Sequence, residues 1–185
     1  MTVDLAHDQL HPMAARGERR RLTPEDAVTE LFESARDDVY RYLLTLGLAP
    51  AQAQEATQEV FLRLYAAMRK GQQIENPRAW IFRVAHNYGL NLRSDDRGTQ
   101  PFDMEMGAHV PDTASSPEER AIEHERRVRL GHAIAALSPQ QRQCLHLRTE
   151  GFRYREIAAI LCISDSSVGE FLHRAIVRLR KALDA

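Results

Sequence analysis

The chain has 185 residues, of which 43% are hydrophobic and 6% aromatic, and its formal net charge is −1 at pH 7. This length suits one domain or two small ones. No apolar run approaches the roughly 20 residues of a membrane-spanning helix, and the N-terminus lacks the apolar stretch of a secretory signal, so we expect a cytoplasmic protein. Neither Cys144 nor Cys162 has partners at metal-ligand spacing, so we expect both to be buried thiols and no metal or cofactor to be needed.

Helix starts are clearly indicated along the chain. A side chain that can cap a helix precedes a proline at Thr23-Pro24, Asn76-Pro77, Ser116-Pro117 and Ser138-Pro139. No strand-like alternation extends beyond a few residues. The sequence therefore predicts an all-α protein of two small helical domains joined by a flexible acidic linker, with a helix-turn-helix at the C-terminus.

The first domain is predicted over residues 22–98, after a disordered tail at 1–21. Apolar residues at helical spacing predict three helices there, at about 24–46, 50–69 and 77–93. Helical periodicity then disappears, and acids, glycine and proline dominate residues 99–116, which predicts a linker.

The second domain is predicted over residues 117–185. Its first helix should bury Ile122, Val128, Leu130, Ile134 and Leu137. A short amphipathic helix at 154–161, a turn at 162–164 and a final helix have the spacing of a helix-turn-helix, whose second helix enters the major groove of DNA. The apolar stripe of that final helix comprises Val168, Phe171, Leu172, Ala175, Ile176, Leu179 and Leu183.

Two further helices carry polar patterns with two interpretations each. The second helix has Glu55, Gln58, Glu59 and Arg63 beside its apolar stripe, which indicates either a solvated face or a docking face. The third helix interleaves arginine and asparagine with aromatic residues. Such a mixture can follow phosphates and hold unstacked bases, or it can be a soluble helix whose aromatic residues lie in the core.

Three segments together resemble one family. QEVFLRLY at 58–65, NPRAWIFRVAHN at 76–87 and LSPQQRQCLHLRTEGFRYREIAAILCIS at 137–164 are similar, in this order, to segments of bacterial RNA polymerase sigma factors of the extracytoplasmic-function (ECF) type. The resemblance spans about 22–183. It implies that 22–98 is a region 2-like domain, which binds core polymerase and the −10 element, and that 117–185 is a region 4-like domain, which binds the −35 element.

The resemblance also implies partners: the largest and second-largest subunits of core RNA polymerase, promoter DNA, an anti-sigma factor that clamps the two domains together, and no membrane. It assigns core-polymerase binding to Glu55, Gln58, Glu59, Phe61 and Arg63. It assigns −10 DNA binding to Arg78, Arg83, Asn87, Tyr88, Asn91 and Arg93. It assigns −35 DNA binding to Arg155, Ser166, Ser167, Glu170, His173, Arg174 and Arg178.

The final helix departs from the family pattern. Where the family has basic residues around a serine, this chain has Gly169, Glu170 and Phe171, so we expect atypical −35 recognition. The alternative function is an autonomous helix-turn-helix regulator, which binds duplex DNA without polymerase. An enzyme is disfavoured because the sequence has no Ser/His/Asp set, no Gly-rich phosphate loop and no metal-ligand spacing.

Overall fold

A computed structural model describes residues 23–95 and 116–184 of the chain, and all regular structure in these ranges is helical. The predicted all-α class is therefore confirmed for this part of the chain. The predicted tail at 1–21 and all of the predicted linker except Ser116 lie outside the described residues. The helices are α1 (Pro24–Thr45), α2 (Pro50–Arg69), α3 (Pro77–Asp95), α4 (Pro117–Ala135), α5 (Pro139–Thr149), α6 (Tyr154–Leu161) and α7 (Asp165–Leu183).

The predicted caps are present at the four helix starts where a side chain that can cap the helix precedes the proline. In each case a side-chain oxygen accepts a hydrogen bond from a backbone N–H of the first turn, which satisfies a donor that has no partner inside the helix. The pairs are Thr23 with Asp26 (3.1 Å), Asn76 with Ala79 (3.0 Å), Ser116 with Glu119 (3.2 Å) and Ser138 with Gln141 (3.2 Å).

Helices α1, α2 and α3 form the N-terminal helix group. Their shared core includes Val39, Leu43, Val60 and Leu64, all of them fully buried. Gly89 lets α3 approach the end of α1 closely, because a Cβ at this position would lie 3.0 Å from Cδ2 of Leu43 in α1 and 2.8 Å from Cδ1 of Leu46 just after it. The apolar side of each of the three helices therefore lies in this shared core.

Helices α4 to α7 form the C-terminal helix group. Helix α6 ends at Leu161, and Cys162, which follows it, adopts a left-handed backbone conformation with φ of 55°. Ser164 then begins α7, and its Oγ accepts a hydrogen bond from the N–H of Ser167 at 3.1 Å. The two helices and this tight turn form the predicted helix-turn-helix.

One hydrophobic core continues through both groups. Helix α3 packs against α6, and α1 packs against α5. Phe82 of α3 and Phe152, which lies between α5 and α6, meet edge to face with ring centroids 4.9 Å apart. The two helix groups therefore form a closed arrangement in which each covers part of the other.

Several apolar residues that we predicted to be buried are exposed. Ile122 is 59% exposed and Val128 42%, because α4 packs mainly against α7 and is covered along one side. In α7, Val168, Leu172 and Ala175 are buried, whereas Ile176 (42%) and Leu183 (39%) face solvent. Cys162 is also exposed, and the prediction that both cysteines are buried is wrong for it, since it lies in the turn. None of the described helices has the length and apolar character needed to cross a bilayer.

Candidate nucleic-acid interface

Helix α3 presents a polar face to solvent. Arg83, Asn87 and Asn91 are all exposed and follow one another at intervals of four residues, so they lie along one side of the helix. Trp80 is half-buried at the start of this face, and Leu90, 40% exposed, lies beside it. Amide, guanidinium and aromatic groups are thus available on one surface, as a site for unstacked bases requires. Sequence reasoning missed Leu90, although its spacing from Arg83 places it there.

The other three predicted −10 residues are already engaged within the protein. Arg93 donates a hydrogen bond from Nη1 to the carbonyl of Leu46 at 2.7 Å and so satisfies the C-terminal end of α1. The ring of Tyr88 is half-buried, and the guanidinium of Arg63 lies 4.5 Å from its centroid. Arg78 points toward the C-terminal helix group.

Helix α2 carries the predicted polymerase-binding face. Glu55 and Gln58 are exposed, and Oε1 of Glu59 pairs with Nε of Arg63 at 2.7 Å. Leu62 shares this face at helical spacing and is 62% exposed, an apolar residue that sequence reasoning left out.

Phe61, predicted to belong to this face, is only 4% exposed. Its ring packs edge to face against that of Phe32, with centroids 5.0 Å apart. Phe61 therefore supports α2 from within the core, while Leu62 provides the apolar surface.

Helix α7 presents Ser166, Glu170, His173 and Arg174 to solvent on one side. Nη2 of Arg174 lies 3.0 Å from Oε2 of Glu170, so the two side chains restrain each other. Val177, 52% exposed, continues the same side toward the C-terminus and was not predicted.

The remaining predicted −35 residues differ in their availability. Arg155 of α6 is 92% exposed in its side chain, and its Nε lies 3.7 Å from Oδ2 of Asp165. The Ser167 hydroxyl lies 2.8 Å from Oγ of Ser164, inside the cap of α7. Arg178 turns back to donate to the carbonyl of Ala136 at the end of α4. Arg155 is thus open to a ligand, whereas Ser167 and Arg178 also hold the local structure.

Gly169 lies on α7 among these polar residues. A Cβ at this position would contact only Cε2 of Tyr154, at 3.8 Å, which is an ordinary van der Waals distance. Packing within the protein therefore does not require glycine here, and its effect is to leave the helix backbone uncovered.

Buried polar groups cluster where the two helix groups meet. Tyr42 Oη lies 2.9 Å from Nδ1 of His86, and burial raises the pKa of Tyr42 and lowers that of His86. Burial, and then the charge of Arg41, lower the pKa of His146 to about 4. The pKa of Glu150 is raised, first by burial and then by the nearby carboxylate of Asp38. The cluster thus combines two histidines whose neutral form is favoured by burial with two carboxylates. Both carboxylates, of Asp38 and Glu150, bind the guanidinium of Arg78.

A groove of about 490 Å³ runs between the loop before α3, α3 itself and α6. Trp80 and Ile160 contribute apolar walls, and Arg83 and Arg155 contribute charge from opposite sides. In residues 23–95 and 116–184, no cluster of three or more His, Cys, Asp or Glu side chains is placed to hold a metal ion.

Each helix group matches a known family model. The family model for sigma-70 region 2 matches residues 31–98, and that for sigma-70 region 4 matches residues 127–179. Relatives include the ECF RNA polymerase sigma factor BldN of Streptomyces coelicolor, 28% identical, and SigK of Mycobacterium ulcerans, 26% identical. The chain belongs to the sigma-70 family and is a sigma factor of the ECF type.

The alignments extend over most of this sigma factor. The alignment with BldN covers 90% of this chain, and the alignment with SigK covers 92%. The chain spans 64% of the length of BldN and 90% of that of SigK.

Solved structures agree with the fold. RpoE of Bartonella quintana, in complex with the anti-sigma factor NepR, is 20% identical and covers 86% of this sigma factor and 98% of its own chain, with a TM-score of 0.60. CnrH in complex with the cytosolic domain of CnrY has a TM-score of 0.55, also at 20% identity, over 86% of this chain and 89% of its own. The α2 and α3 faces fall within the region 2 match, and the exposed side of α7 falls within the region 4 match.

Proposed function

We propose that this sigma factor directs core RNA polymerase to promoters, with −10 recognition and strand opening by α3 and −35 recognition by α7. One observation carries the proposal: each of the two matched sigma regions exposes one helix side whose amide, guanidinium or carboxylate groups can form hydrogen bonds to bases. The sigma factor supplies recognition, and the polymerase performs the chemistry.

The α3 face suits single-stranded DNA. Asn87 and Asn91 offer amide donors and acceptors, Arg83 offers charge for a phosphate, and Trp80 offers an aromatic edge. Removing a base from the stack costs a few kcal/mol, and hydrogen bonds and stacking in a fitted site offset that cost. Strand opening would follow from capture of an unpaired base on this face.

The exposed side of α7 suits the major groove of duplex DNA. A guanidinium such as that of Arg174 can bind guanine O6 and N7, and the carboxylate of Glu170 can accept a hydrogen bond from cytosine N4. The two side chains form an exposed ion pair one helical turn apart, so both can reach the same base pair. We therefore propose a −35 element that contains a G·C pair read by this pair of residues.

The α2 face suits polymerase. Glu55 and Gln58 precede the exposed side chain of Leu62 on the same side of α2, so the face combines an apolar side chain with polar neighbours. Its proposed partner is the largest subunit, and the C-terminal group would lean on the flap of the second-largest subunit. Polymerase would supply most phosphate contacts, which agrees with a net charge of −1.

An anti-sigma factor is also proposed as a partner. The two structural neighbours described above are both complexes, one with an anti-sigma factor and one with the cytosolic domain of another protein. This sigma factor has the same overall fold, so a comparable inhibitor is a reasonable partner to seek.

Run-off transcription on a genomic library, with core polymerase and the purified chain, tests the function and reports the promoter. We expect transcripts from a small set of sites and none without the chain. A gel shift without polymerase tests the alternative, because an autonomous regulator would bind a specific duplex alone. Specific binding without polymerase, combined with no transcription, would refute the proposal.

Asn87→Ala tests the role of α3. Because Asn87 is exposed and supports no packing, we expect a loss of open complex, measured with permanganate on unpaired thymines, and unchanged binding to core polymerase. Gln140→Ala, an exposed amide removed from α5, is the matched control and should change neither. An equal loss of polymerase binding and opening in Asn87→Ala would contradict the assignment.

A further inference from the structure

Arg78 lies in the first turn of α3, yet its guanidinium is bound by two other parts of the chain. Nη1 donates to the backbone carbonyl of Glu150 at 2.6 Å, and Nη2 lies 2.8 Å from Oε2 of the same residue. Nη2 also lies 3.0 Å from Oδ2 of Asp38 on α1. Glu150 caps the C-terminal end of α5, so one guanidinium joins the two helix groups.

The surroundings make this contact more than a surface ion pair. The side chain of Glu150 is 15% exposed and that of Asp38 21%, so water screens the charges incompletely. The guanidinium of Arg78 also lies 5.0 Å from the ring centroid of Phe152 and 5.5 Å from that of Phe82, where cation–π attraction adds to the ion pairs.

A second contact ties the same two groups. Asn76 caps α3 with its Oδ1, and its Nδ2 donates to Oε1 of Glu156 on α6 at 2.8 Å. The start of α3 is therefore held against the C-terminal group at two positions, its cap Asn76 and Arg78 in its first turn. This is the end of the helix that leads into the proposed −10 face.

The closed arrangement is too small to reach both promoter elements. The numbers in their names place the −35 and −10 elements about 25 base pairs apart, or ~85 Å at about 3.4 Å per base pair. A compact body of this chain's size is roughly 40 Å across. If the proposed function is correct, on which this step depends, the two helix groups must separate before both elements can be bound.

We propose that Glu150 is an intramolecular competitor of DNA for Arg78, and that this ion pair, added to the apolar contact between Phe82 and Phe152, is needed to hold the sigma factor closed until a phosphate replaces the carboxylate. A carboxylate and a phosphate bind a guanidinium through the same forked N–H donors, so Arg78 cannot be saturated by both. Closure and promoter binding therefore exclude each other at one side chain.

The test uses Glu150→Lys in the full chain, which places a positive charge against Arg78. The matched control is Glu123→Lys, which makes the same charge change on α4, in an exposed ion pair with Arg127 that does not involve Arg78. In small-angle X-ray scattering we expect Glu150→Lys to raise the radius of gyration by roughly 20% and the control to leave it unchanged. The charge swap Arg78→Glu with Glu150→Lys should restore the compact value.

Fluorescence anisotropy with a labelled single-stranded oligonucleotide measures the competition. A Glu→Lys change anywhere strengthens nucleic-acid binding through charge, and the control measures that general gain. We expect Glu150→Lys to bind about threefold or more tightly than the control, because a larger fraction of molecules is open. The charge swap should remain closed and bind weakly.

Equal radii of gyration for wild type and Glu150→Lys, with helical circular dichroism intact, would overturn the proposal. If Glu150→Lys does not fold, Glu150→Gln, which keeps the shape and removes the charge, must show the same shift at smaller amplitude, and no shift overturns the proposal as well. The scattering experiment needs neither DNA nor polymerase. A normal scattering shift without any transcription would therefore refute the proposed function and leave the closure mechanism standing.

Discussion

His146 shows how burial sets the chemistry of one residue. The Thr45 hydroxyl donates to the carbonyl of Arg41 at 3.0 Å, so it can only accept from Nδ1 of His146, 3.2 Å away. The remaining nitrogen, Nε2, is buried without a hydrogen-bond partner and lies 3.8 Å from Oε1 of Glu150. The neutral ring fits this site, and a charged ring would have to be desolvated.

This residue predicts a pH dependence of stability. The pKa of His146 is about 4 in the folded chain, against 6.5 ordinarily. As the pH falls from 6.5 to 4, the unfolded chain binds a proton that the folded chain does not, so the free energy of unfolding should decrease by up to about 3 kcal/mol. Urea denaturation at several pH values measures this slope.

Variants distinguish the contribution of His146 to this pH dependence from those of neighbouring groups. His146→Gln removes the titrating group and should flatten the slope, whereas His124→Gln, an exposed histidine of α4, should not. The lowered pKa of His86 acts in the same direction and remains in the variant. The raised pKa of Glu150 acts oppositely, near the acid end of the range. A slope unchanged in His146→Gln would show that this histidine is not the group responsible.

Gly169 gives a second prediction at the residue scale. Gly169→Ala should raise the free energy of unfolding by about 0.5–1 kcal/mol, because alanine is the better helix former and its Cβ meets no close atom. If the uncovered backbone approaches DNA, the same change should weaken −35-dependent transcription. Gly131→Ala on α4, where a Cβ meets nothing within 4 Å, should give the stability gain without the transcription loss. Equal transcription in both variants would exclude a role for Gly169 in recognition.

At the scale of elements, two adjacent residues of α2 have different proposed roles: Phe61 supports the core, and Leu62 contacts the polymerase. Phe61→Ala should destabilise the protein by about 3–5 kcal/mol, because it leaves a cavity beside Phe32. Leu62→Ser should leave stability within about 0.5 kcal/mol, because this side chain is 62% exposed. Thermal denaturation measures both.

The same pair tests the proposed docking face. Leu62→Ser should weaken binding to core polymerase in a pull-down with purified subunits, since it removes the apolar centre of the face. Leu183→Ser, a partly exposed leucine at the end of α7, is the control for loss of apolar surface. If Leu62→Ser binds polymerase fully, then Leu62 is not part of the interface. Either α2 lies outside the interface or only its charged residues contribute to it.

At the scale of the whole molecule, the shared core predicts cooperative unfolding. Because Phe82 and Phe152 join the two helix groups, we expect a single calorimetric transition in the wild type. Phe152→Ala should split it into two, because each group then unfolds with its own stability.

Phe32→Ala provides the control for this prediction. It removes an aromatic contact inside the N-terminal group, so it should lower the transition temperature and keep one transition. A single transition in Phe152→Ala would mean that the remaining contacts between the groups are sufficient for cooperativity.

Local features of the fold were predictable from the sequence. Proline after a capping side chain fixes a helix start because proline supplies the helical φ and the cap satisfies a free N–H. Apolar spacing fixed which side of α2 and α3 is buried. The exposed positions of Asn87, Asn91, Glu170 and Arg174 follow from the same periodicity, since a residue opposite the apolar stripe must face solvent.

Only the tertiary structure showed which side chains of elements distant in sequence contact one another. Periodicity states that one side of a helix is covered, and it does not state by which partner or over what length, so Ile122 was wrongly predicted to be buried. It also cannot show that Arg78 meets Glu150, because an ion pair across 72 residues depends on how two helix groups dock. The sequence determined the helices and their faces through local steric and hydrogen-bonding rules, whereas the docking, and with it the proposed competition at Arg78, depends on long-range packing.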